Sequence, residues 1–261
     1  MDKVQSKDGT LIAFERSGSG PPLVLVHGTT ADHTRWAGVL PGFEKNFTVY
    51  AVDRRGRGQS GDSPVYSIER EYEDIAAVVS SISAPVNLLG HSYGALICLE
   101  AAVRVTNLRR LVLYEPAIRV EMPIYPAGAR ARIQTLLDSG DREGALVAFF
   151  RDVVLMPEDE ILAIRAEPAW PARLEAAHTI PREFADEDYI LDPERFRNLT
   201  VPTLLLSGSE SPAYLRRATR AVHTALPNSR IIVMPGEQHI AMRTAPDLFV
   251  RRVTGFLQEP D

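Results

Sequence analysis

The chain has 261 residues, 45% of them hydrophobic and 24% charged, which is the composition of a globular protein with a sizeable core. The formal net charge of −5, with no basic stripe, argues against a nucleic-acid ligand. The single cysteine, Cys98, rules out an intrachain disulfide, and no apolar run approaches the roughly 18–20 residues of a membrane span.

Targeting, metal-binding and partner signals are weak. Residues 1–5 lack the basic-then-apolar pattern of a signal peptide, so we expect a cytoplasmic protein. One cysteine and six scattered histidines show no metal-site spacing, and we predict neither a metal nor another cofactor. We expect no nucleic acid and no membrane among the partners, and the oligomeric state stays open. The short basic cluster Arg54-Arg55-Gly56-Arg57 is interpreted as a loop that pairs with nearby carboxylates.

Strands alternate with helices along most of the chain. Residues 4–6 and 11–16 predict an antiparallel hairpin, because Asp8-Gly9 is a turn signal. Residues 22–26 are an apolar run without alternation, typical of a parallel strand buried on both faces, and the run ends at His27-Gly28. Further strands are predicted at residues 48–52, 86–89, 110–114, 203–206 and 231–234. The helices predicted between them cover residues 33–39, 68–81, 95–105, 213–225 and 246–257.

The most informative residues follow the predicted strand at 86–89. Gly90-His91-Ser92-Tyr93-Gly94 fits the pattern G-x-S-x-G, and a helix-forming stretch comes next. Such a strand–turn–helix holds its serine at the apex in a strained backbone conformation with Oγ exposed. Glycines two positions to either side let strand and helix approach closely. The same residues would also fit an ordinary strand–helix turn whose serine caps the helix, so other features have to decide.

Three further landmarks make the sequence similar to the α/β-hydrolase superfamily. They are the His27-Gly28 turn, the stretch 52–60 that resembles the D-x-x-G-x-G-x-S loop of the family, and the late histidine His239 in the order Ser, acid, His. The resemblance covers essentially the whole chain. It implies an α/β fold with a mostly parallel eight-stranded sheet flanked by helices. Strand–helix alternation supports the same architecture.

The resemblance also implies roles for individual residues. Ser92 would be the nucleophile and His239, on the loop after the last strand, the general base. The backbone N–H groups of Thr29 and Tyr93 would form the oxyanion hole for the charge that develops on the substrate carbonyl oxygen. A lone histidine is more often structural or solvated than catalytic, but His239 alone among the six has the strand–loop–helix setting of the family's base.

Strand–helix alternation stops between residues 117 and 198, where helical patterns are broken by prolines. In this superfamily a helical insertion between the sixth and seventh strands is a lid. We therefore predict a hydrolase core of residues 1–116 and 199–261 and a lid of residues 117–198, with a separate helical domain as the alternative. The substrate-binding candidates are His33, Trp36, Phe149 and Trp170. The apolar lid residues Tyr125, Phe150 and Met156 are further lining candidates, although such residues more often hold lid helices together.

The acid of the triad departs from the common pattern. Most of the family carries an aspartate on the loop after the seventh strand, where this chain has Ser211. Glu210 lies one residue away from that position. Glu115 directly follows the sixth strand, and some members of the superfamily, such as lactonases, place their acid there. A charged residue after a buried strand also needs a partner, so we predict Glu115, with Glu210 as the alternative.

A serine nucleophile with a histidine base favours acyl-enzyme chemistry. We predict a serine hydrolase, of the carboxylesterase or lactonase type, that acts on a small, mostly apolar carboxylic ester or lactone. The few basic residues near the lid support an apolar substrate. Carbon–carbon bond hydrolysis and perhydrolysis would use the same triad, and a non-catalytic small-molecule-binding protein of this fold is the alternative from another class.

Overall fold

The computed structural model describes residues 1–120, 126–184 and 189–260. Its centre is an eight-stranded sheet with the order β1-β2-β4-β3-β5-β6-β7-β8. The strands are β1 (Asp2–Gln5), β2 (Leu11–Gly18), β3 (Pro22–Val26), β4 (Thr48–Val52), β5 (Val86–His91), β6 (Leu108–Tyr114), β7 (Thr203–Gly208) and β8 (Ser229–Met234). β2 pairs antiparallel with β1 and β4, and the other neighbouring pairs are parallel. This is the fold that the resemblance implied.

Helices cover both faces of the sheet. The helices outside the insertion described below are α1 (Leu40–Phe43), α2 (Ile68–Ser80), α3 (Tyr93–Ala102), α10 (Ala213–Ala225), α11 (Ala241–Thr244) and α12 (Pro246–Leu257). One hydrophobic cluster packs α2, α3 and α10 against the sheet, and a second packs α1 and α12 against it. Strands β3, β5 and β7 are buried along their whole length, which explains their unbroken apolar sequences.

The described residues between β6 and β7 form helices only. They are α4 (Ala129–Asp138), α5 (Arg142–Ala148), α6 (Glu158–Arg165), α7 (Trp170–Ala176), α8 (Ile180–Glu183) and α9 (Pro193–Phe196), with a π-helical turn at Phe149–Val153 and a 3₁₀ turn at Ala177–Thr179. We call this segment the helical insert. It has a hydrophobic cluster of its own, which the side chains of α4, α5, α6 and the π-helical turn share. Its use as a lid stays a prediction.

Buried ion pairs join the basic loop after β4 to its surroundings. Arg54 donates to Glu71 on α2 at 2.7 Å and to Glu183 on α8 at 2.7 Å, and Arg57 also pairs with Glu183. Arg55 donates to Asp74 on α2 at 2.7 Å. The prediction that this cluster pairs with carboxylates is therefore confirmed. Since Glu183 belongs to the helical insert, the same network fastens the insert to the sheet.

The main errors of the sequence prediction concern short helices. The helix predicted at residues 33–39 is a 3₁₀ turn at His33–Trp36, and α1, α9 and α11 were not predicted. In α9 the first residue is Pro193, whose missing N–H costs no hydrogen bond at that position, although this proline was read as a break. In the described part of the chain, no helix combines the length and the apolar character needed to cross a bilayer.

Candidate active site

Ser92 lies at the turn between β5 and α3, with φ 57° and ψ −123°. Its N–H donates to the carbonyl of Tyr114 on β6 at 2.9 Å, and its own carbonyl accepts from Ala95 on α3 at 2.9 Å. These bonds hold the residue in a backbone conformation that non-glycine residues rarely adopt. The side chain is partly exposed and lines a cavity above the carboxyl ends of the strands.

The glycines on either side of Ser92 are required by close packing. A Cβ on Gly90 would lie 2.5 Å from the carbonyl oxygen of Gly94, and one on Gly94 would lie 2.3 Å from the carbonyl oxygen of His27. Both distances are shorter than any real Cβ contact, so only glycine fits at either position. The G-x-S-x-G pattern therefore reflects the approach of α3 to β3 and β5.

The structure brings Glu115, rather than Glu210, to His239. Glu115 Oε2 lies 2.7 Å from His239 Nδ1. A carboxylate can only accept, so Nδ1 carries the proton and Nε2 is left as the basic nitrogen of the neutral ring. Glu210 is exposed and accepts from Ser209 Oγ at 3.0 Å. Ser211, at the usual aspartate position, is buried, and its hydroxyl has no hydrogen-bond partner among the described residues.

Glu115 is completely buried, and its charge is compensated by donors. Its Oε1 accepts from the backbone N–H of Gly208 at 2.8 Å and from Ser207 Oγ at 3.1 Å. Because β6 and β7 are neighbours, a glutamate at the end of β6 reaches the end of β7. Three donors on one carboxylate offset the cost of removing the charge from water. They also fix the orientation of the oxygen that faces His239.

The loop that carries His239 is anchored by two aromatic residues. The His91 ring lies with Nε2 2.8 Å from the carbonyl oxygen of His239, so this nitrogen donates. The Tyr114 hydroxyl donates to the carbonyl of Gln238 and accepts from the N–H of Ala241 at 3.1 Å. The imidazole of His239 is therefore held through its backbone as well as through Glu115. The sequence analysis treated His91 only as part of the serine turn and Tyr114 only as part of a strand, and it missed this role.

The turn after β3 places Thr29 against the same cavity as Ser92 and His239. Its geometry depends on His27, whose Nδ1 is 2.8 Å from the Gly28 carbonyl and whose Nε2 accepts from the Arg54 N–H at 3.2 Å. The Thr29 N–H donates to no other described residue. Tyr93 begins α3 directly after Ser92. Both residues predicted for the oxyanion hole therefore lie at the bottom of the cavity or next to it.

We call the space above Ser92 the catalytic cavity. It has a volume of about 60 Å³. One side is formed by the turn after β3 and by Ser92, His91 and His239, and the other by the helical insert. The insert contributes mainly apolar side chains, namely Phe149, Phe150, Val154, Met156 and Ile164. Main-chain strain also concentrates here, since three of the four described non-glycine residues with positive φ are Thr30, Ser92 and Glu115.

The sequence profile of the alpha/beta hydrolase family matches residues 23–252, which include the serine turn, the glutamate and the late histidine. The chain belongs to the α/β-hydrolase family. An α/β-hydrolase from Sphaerobacter thermophilus DSM 20745 has a similar structure, with a TM-score of 0.87 and 35% identity over 98% of this chain and 100% of that chain.

Two further α/β-hydrolase relatives have more specific descriptions. The esterase RhEst1 from Rhodococcus sp. ECU1013 has a TM-score of 0.79 and is 25% identical, with 99% of this chain and 98% of that chain covered. The 2-(acetamidomethylene)succinate hydrolase of Mesorhizobium japonicum is 27% identical over 92% of this chain and 89% of its own length. These relatives support a hydrolase role for this α/β-hydrolase.

Two of the substrate-binding candidates are structural residues of the hydrolase core. Trp36 is fully buried in the hydrophobic cluster that also holds Phe43, because the 3₁₀ turn packs it against the sheet. The ring of His33 lies with Nδ1 2.7 Å from Asp53 Oδ1. Neither belongs to the described wall of the catalytic cavity. The predictions for Trp36 and His33 are therefore corrected.

The candidates on the helical insert divide in the same way. Phe149 lines the catalytic cavity, as do Phe150 and Met156. Trp170 packs against Phe150 inside the insert, with ring centroids 6.5 Å apart, and is absent from the described cavity wall. The large Trp170 side chain therefore packs between the helices of the insert and stabilises them. Tyr125 lies outside the described residues.

One group of potential metal ligands occurs among the described residues. The ligand atoms of Asp32, His33 and Asp53 lie within 4.8 Å of one another. Both oxygens of Asp53 are engaged, because Oδ1 accepts from the N–H and the ring of His33 at 2.8 and 2.7 Å and Oδ2 accepts from the N–H of Gln59 at 2.8 Å. Asp32 accepts from the N–H of Thr34 at 2.9 Å. These hydrogen bonds explain why the three side chains lie close together.

Two cavity residues that sequence reasoning missed are arginines. Arg35, on the 3₁₀ turn, and Arg173, on α7, both line the catalytic cavity. The sequence analysis expected an apolar pocket with few basic residues near the lid. Because these two arginines line the cavity, that expectation is wrong for this part of its wall. Arg173 is far from the motifs in sequence, and nothing in its helix marks it. Arg35 follows the His27-Gly28 turn closely, which is the one sequence signal that it lies near the site.

The buried histidines predict a loss of stability in mild acid. Burial, with Arg54 nearby for His27 and His239 nearby for His91, holds the pKa of both rings well below the ordinary value of 6.5. The unfolded chain then binds more protons than the folded one as the pH falls below 6.5. The stability that the two neutral rings contribute is therefore present above pH 6.5 and is lost below it.

We expect the free energy of unfolding to fall between pH 6.5 and 5 by up to about 1.4 kcal/mol per pH unit for each of these histidines. His33 does not oppose this trend. Its hydrogen bond with Asp53 raises its pKa, so the stability that the protonated ring contributes is fully present below pH 6.5 and is lost only at higher pH. Urea unfolding at several pH values measures the slope. His91→Asn should remove about half of it. A slope in that variant equal to the wild-type slope would contradict the assignment.

Proposed function

We propose that this protein is a serine hydrolase that cleaves a small carboxylic ester or lactone through an acyl-enzyme. The observation that carries the proposal is the contact of buried Glu115 with His239, which lines the same cavity as Ser92. A serine at a strained turn, a histidine with a defined tautomer and a buried carboxylate are the groups that nucleophilic acyl transfer needs.

In the first half of the reaction His239 Nε2 takes the Ser92 proton while Oγ attacks the carbonyl carbon. The tetrahedral oxyanion receives hydrogen bonds from the backbone N–H groups of Thr29 and Tyr93. Collapse breaks the bond to the alcohol oxygen, which His239 protonates as it leaves. In the second half water attacks the acyl carbon and gives a proton to His239. Collapse of this intermediate breaks the bond to Ser92 Oγ, His239 returns the proton to Oγ, and the carboxylic acid is released. Glu115 stabilises the cationic imidazole in both halves.

The non-catalytic alternative depended on the missing aspartate at Ser211. Glu115 supplies the carboxylate that Ser211 lacks, and this favours catalysis over simple binding. The bonds from Gly208 and Ser207 keep Glu115 Oε1 occupied, so that Oε2 is the oxygen that faces His239, as a triad requires. Carbon–carbon bond cleavage would use the same residues. Rates measured on different substrates therefore have to decide between this reaction and the hydrolysis of an ester or lactone.

The oxyanion hole predicts a large effect of one backbone change. Thr29→Pro removes the N–H that would hold the oxyanion and should lower kcat by about 10²- to 10³-fold. Thr29→Ala keeps this N–H and is the matched control, with a much smaller loss. Steady-state kinetics on an aryl ester, with the far-ultraviolet circular dichroism of both variants, measures the effect. Equal activity in a folded Thr29→Pro protein would place the oxyanion site elsewhere.

A panel of aryl esters and lactones tests the proposed function. With an activated aryl ester the wild type should release a rapid burst of about one phenol per enzyme before the steady state, because acylation by such an ester is faster than deacylation and the acyl-enzyme accumulates. Ser92→Ala should give no burst. If the wild type and Ser92→Ala hydrolyse every member of the panel at the same rate, the protein is not a serine hydrolase of this class.

A further inference from the structure

The wall of the catalytic cavity carries two guanidinium groups and no carboxylate. Of its described residues, Arg35 and Arg173 are the only ones besides the two histidines that can carry charge. Glu115 lies beneath the cavity and is fully engaged with His239 and β7. A ligand that enters the cavity therefore meets positive charge next to Ser92. For an uncharged, apolar ester this arrangement would be unfavourable, because burying a charge without a partner is costly.

Arg173 has unused capacity to donate. Its side chain is 7% exposed, and Nη1 donates to the carbonyl of Thr30 at 2.8 Å. Its Nη2 is 3.9 Å from Glu167, at the limit of an ion pair, and its Nε is buried without a hydrogen-bond partner among the described residues. The bond to Thr30 fixes the guanidinium beside the turn that carries Thr29, and the remaining donors are available to a ligand.

The side chain of Arg35 has no hydrogen bond and no ion pair with any part of the chain that the structure describes, and only its backbone N–H is engaged, with the carbonyl of Asp32 at 3.1 Å. Burial and the cations Arg173 and Arg243 lower the pKa of Arg35 to about 10, so it remains charged at neutral pH. The residue is half-buried, and none of its nitrogens is among the buried side-chain atoms without a partner, so its donors remain open to a ligand that enters the cavity.

The nearby carboxylates are already occupied. Glu167 pairs with Arg243 at 3.0 Å, and Asp32 accepts from the N–H and hydroxyl of Thr34 at 2.9 and 2.5 Å. Both line a second space of about 450 Å³, which we call the outer groove, and neither lines the catalytic cavity. Arg35 and Arg173 line both spaces. The two guanidinium groups therefore stand where the catalytic cavity meets the outer groove.

We propose that Arg35 and Arg173 bind a free carboxylate on the substrate, so that the preferred substrate is a monoester of a dicarboxylic acid, or a lactone that carries a free carboxylate. This inference rests on the proposed function. The planar forks of two arginines match a carboxylate, which can accept two hydrogen bonds on each oxygen. The catalytic cavity of about 60 Å³ holds a small acyl group, and the outer groove takes the part of the substrate beyond the arginines.

A matched pair of substrates tests the charge directly. Mono-aryl succinate carries a free carboxylate, and its methyl ester differs only in that this carboxylate is capped. The wild type should prefer the acid over the methyl ester in kcat/KM by about 10-fold or more, the effect of a charge-assisted hydrogen bond. Arg35→Met should reduce this preference to near one. Arg35 is the first choice for substitution because it supports no described contact, whereas Arg173 also holds Thr30.

Arg165→Met is the control for a general loss of positive charge. Arg165 is exposed on the insert and pairs with Glu143, away from both spaces, so this variant should keep the wild-type preference. A wild type that hydrolyses both esters with equal kcat/KM would overturn the carboxylate site and leave the proposed function standing. An equal loss of preference in Arg165→Met and Arg35→Met would also overturn it, because long-range electrostatics would then explain the effect.

A binding measurement separates this inference from the proposed function. Calorimetric titration of Ser92→Ala with monomethyl succinate needs no turnover. We expect binding that weakens about 10-fold or more when Arg35→Met is added. If neither ester is hydrolysed but this binding is seen, the proposed function fails and the anion site stands. If hydrolysis occurs and monomethyl succinate binds equally well with and without Arg35, the anion site fails alone.

Discussion

Replacing Ser92 with alanine is expected to lower kcat by about 10³-fold or more, the scale of loss when one member of a triad is removed. The change deletes only Oγ. The turn should persist, because it is held by the Ser92 backbone bonds to Tyr114 and Ala95 and by the close packing at Gly90 and Gly94. The residual activity then reports the oxyanion hole and substrate binding without the nucleophile.

Ser209→Ala is a suitable control for this experiment. Ser209 follows β7 and bonds with Glu210 and Gly236 outside the catalytic cavity, so its loss should change kcat little. Steady-state kinetics on an aryl ester, with urea unfolding to compare stability, measures both variants. Ser92→Ala with a kcat within about two-fold of the wild type would remove the nucleophile from the mechanism.

Replacing Glu115 with glutamine is expected to lower kcat by up to about 10⁴-fold. The amide oxygen can still accept from Gly208, which leaves the NH₂ group facing His239 Nδ1. An NH₂ group favours the imidazole tautomer with the proton on Nε2, which cannot take the Ser92 proton. The charge that stabilises the cationic ring is lost as well. The effect should appear in kcat with only small changes in the far-ultraviolet circular dichroism.

Glu210→Gln is the matched control, because it makes the same chemical change one residue from the common acid position. Glu210 is exposed and contacts only Ser209 through its side chain among the described residues, so kcat should change less than about two-fold. A large loss in Glu210→Gln with normal turnover in Glu115→Gln would show that the loop after β7 moves to bring Glu210 to His239 in solution.

Much of the fold could be predicted because its signals are local. The strands are apolar runs, and α10 and α12 were predicted with the bounds that the structure has, at residues 213–225 and 246–257. The serine turn was found because close packing permits only glycine at positions 90 and 94. Glu115 was found because some members of the superfamily place their acid after the sixth strand, and because a charge directly after a buried strand requires a partner.

The remaining parts of the site depend on long-range contacts that leave no local pattern. His91 and Tyr114 support the loop of His239 from two different strands, and Arg173 reaches the cavity from the helical insert. Trp36 was misjudged because an aromatic residue near a catalytic turn fits a pocket and a core equally well in sequence. Only burial distinguishes them, and Trp36 is fully buried.

Labelling with a fluorophosphonate probe tests whether Ser92 is the nucleophile, because the probe reacts only with a serine whose Oγ is activated. Ser92 Oγ should displace fluoride from phosphorus and leave one covalent adduct per chain. Mass spectrometry of the digested protein should locate that adduct on the peptide that contains Ser92, and Ser92→Ala should stay unlabelled. A known serine esterase, labelled in parallel, serves as the positive control. If that esterase reacts and the wild-type protein stays unlabelled, or if the adduct lies on another residue, Ser92 is not the nucleophile.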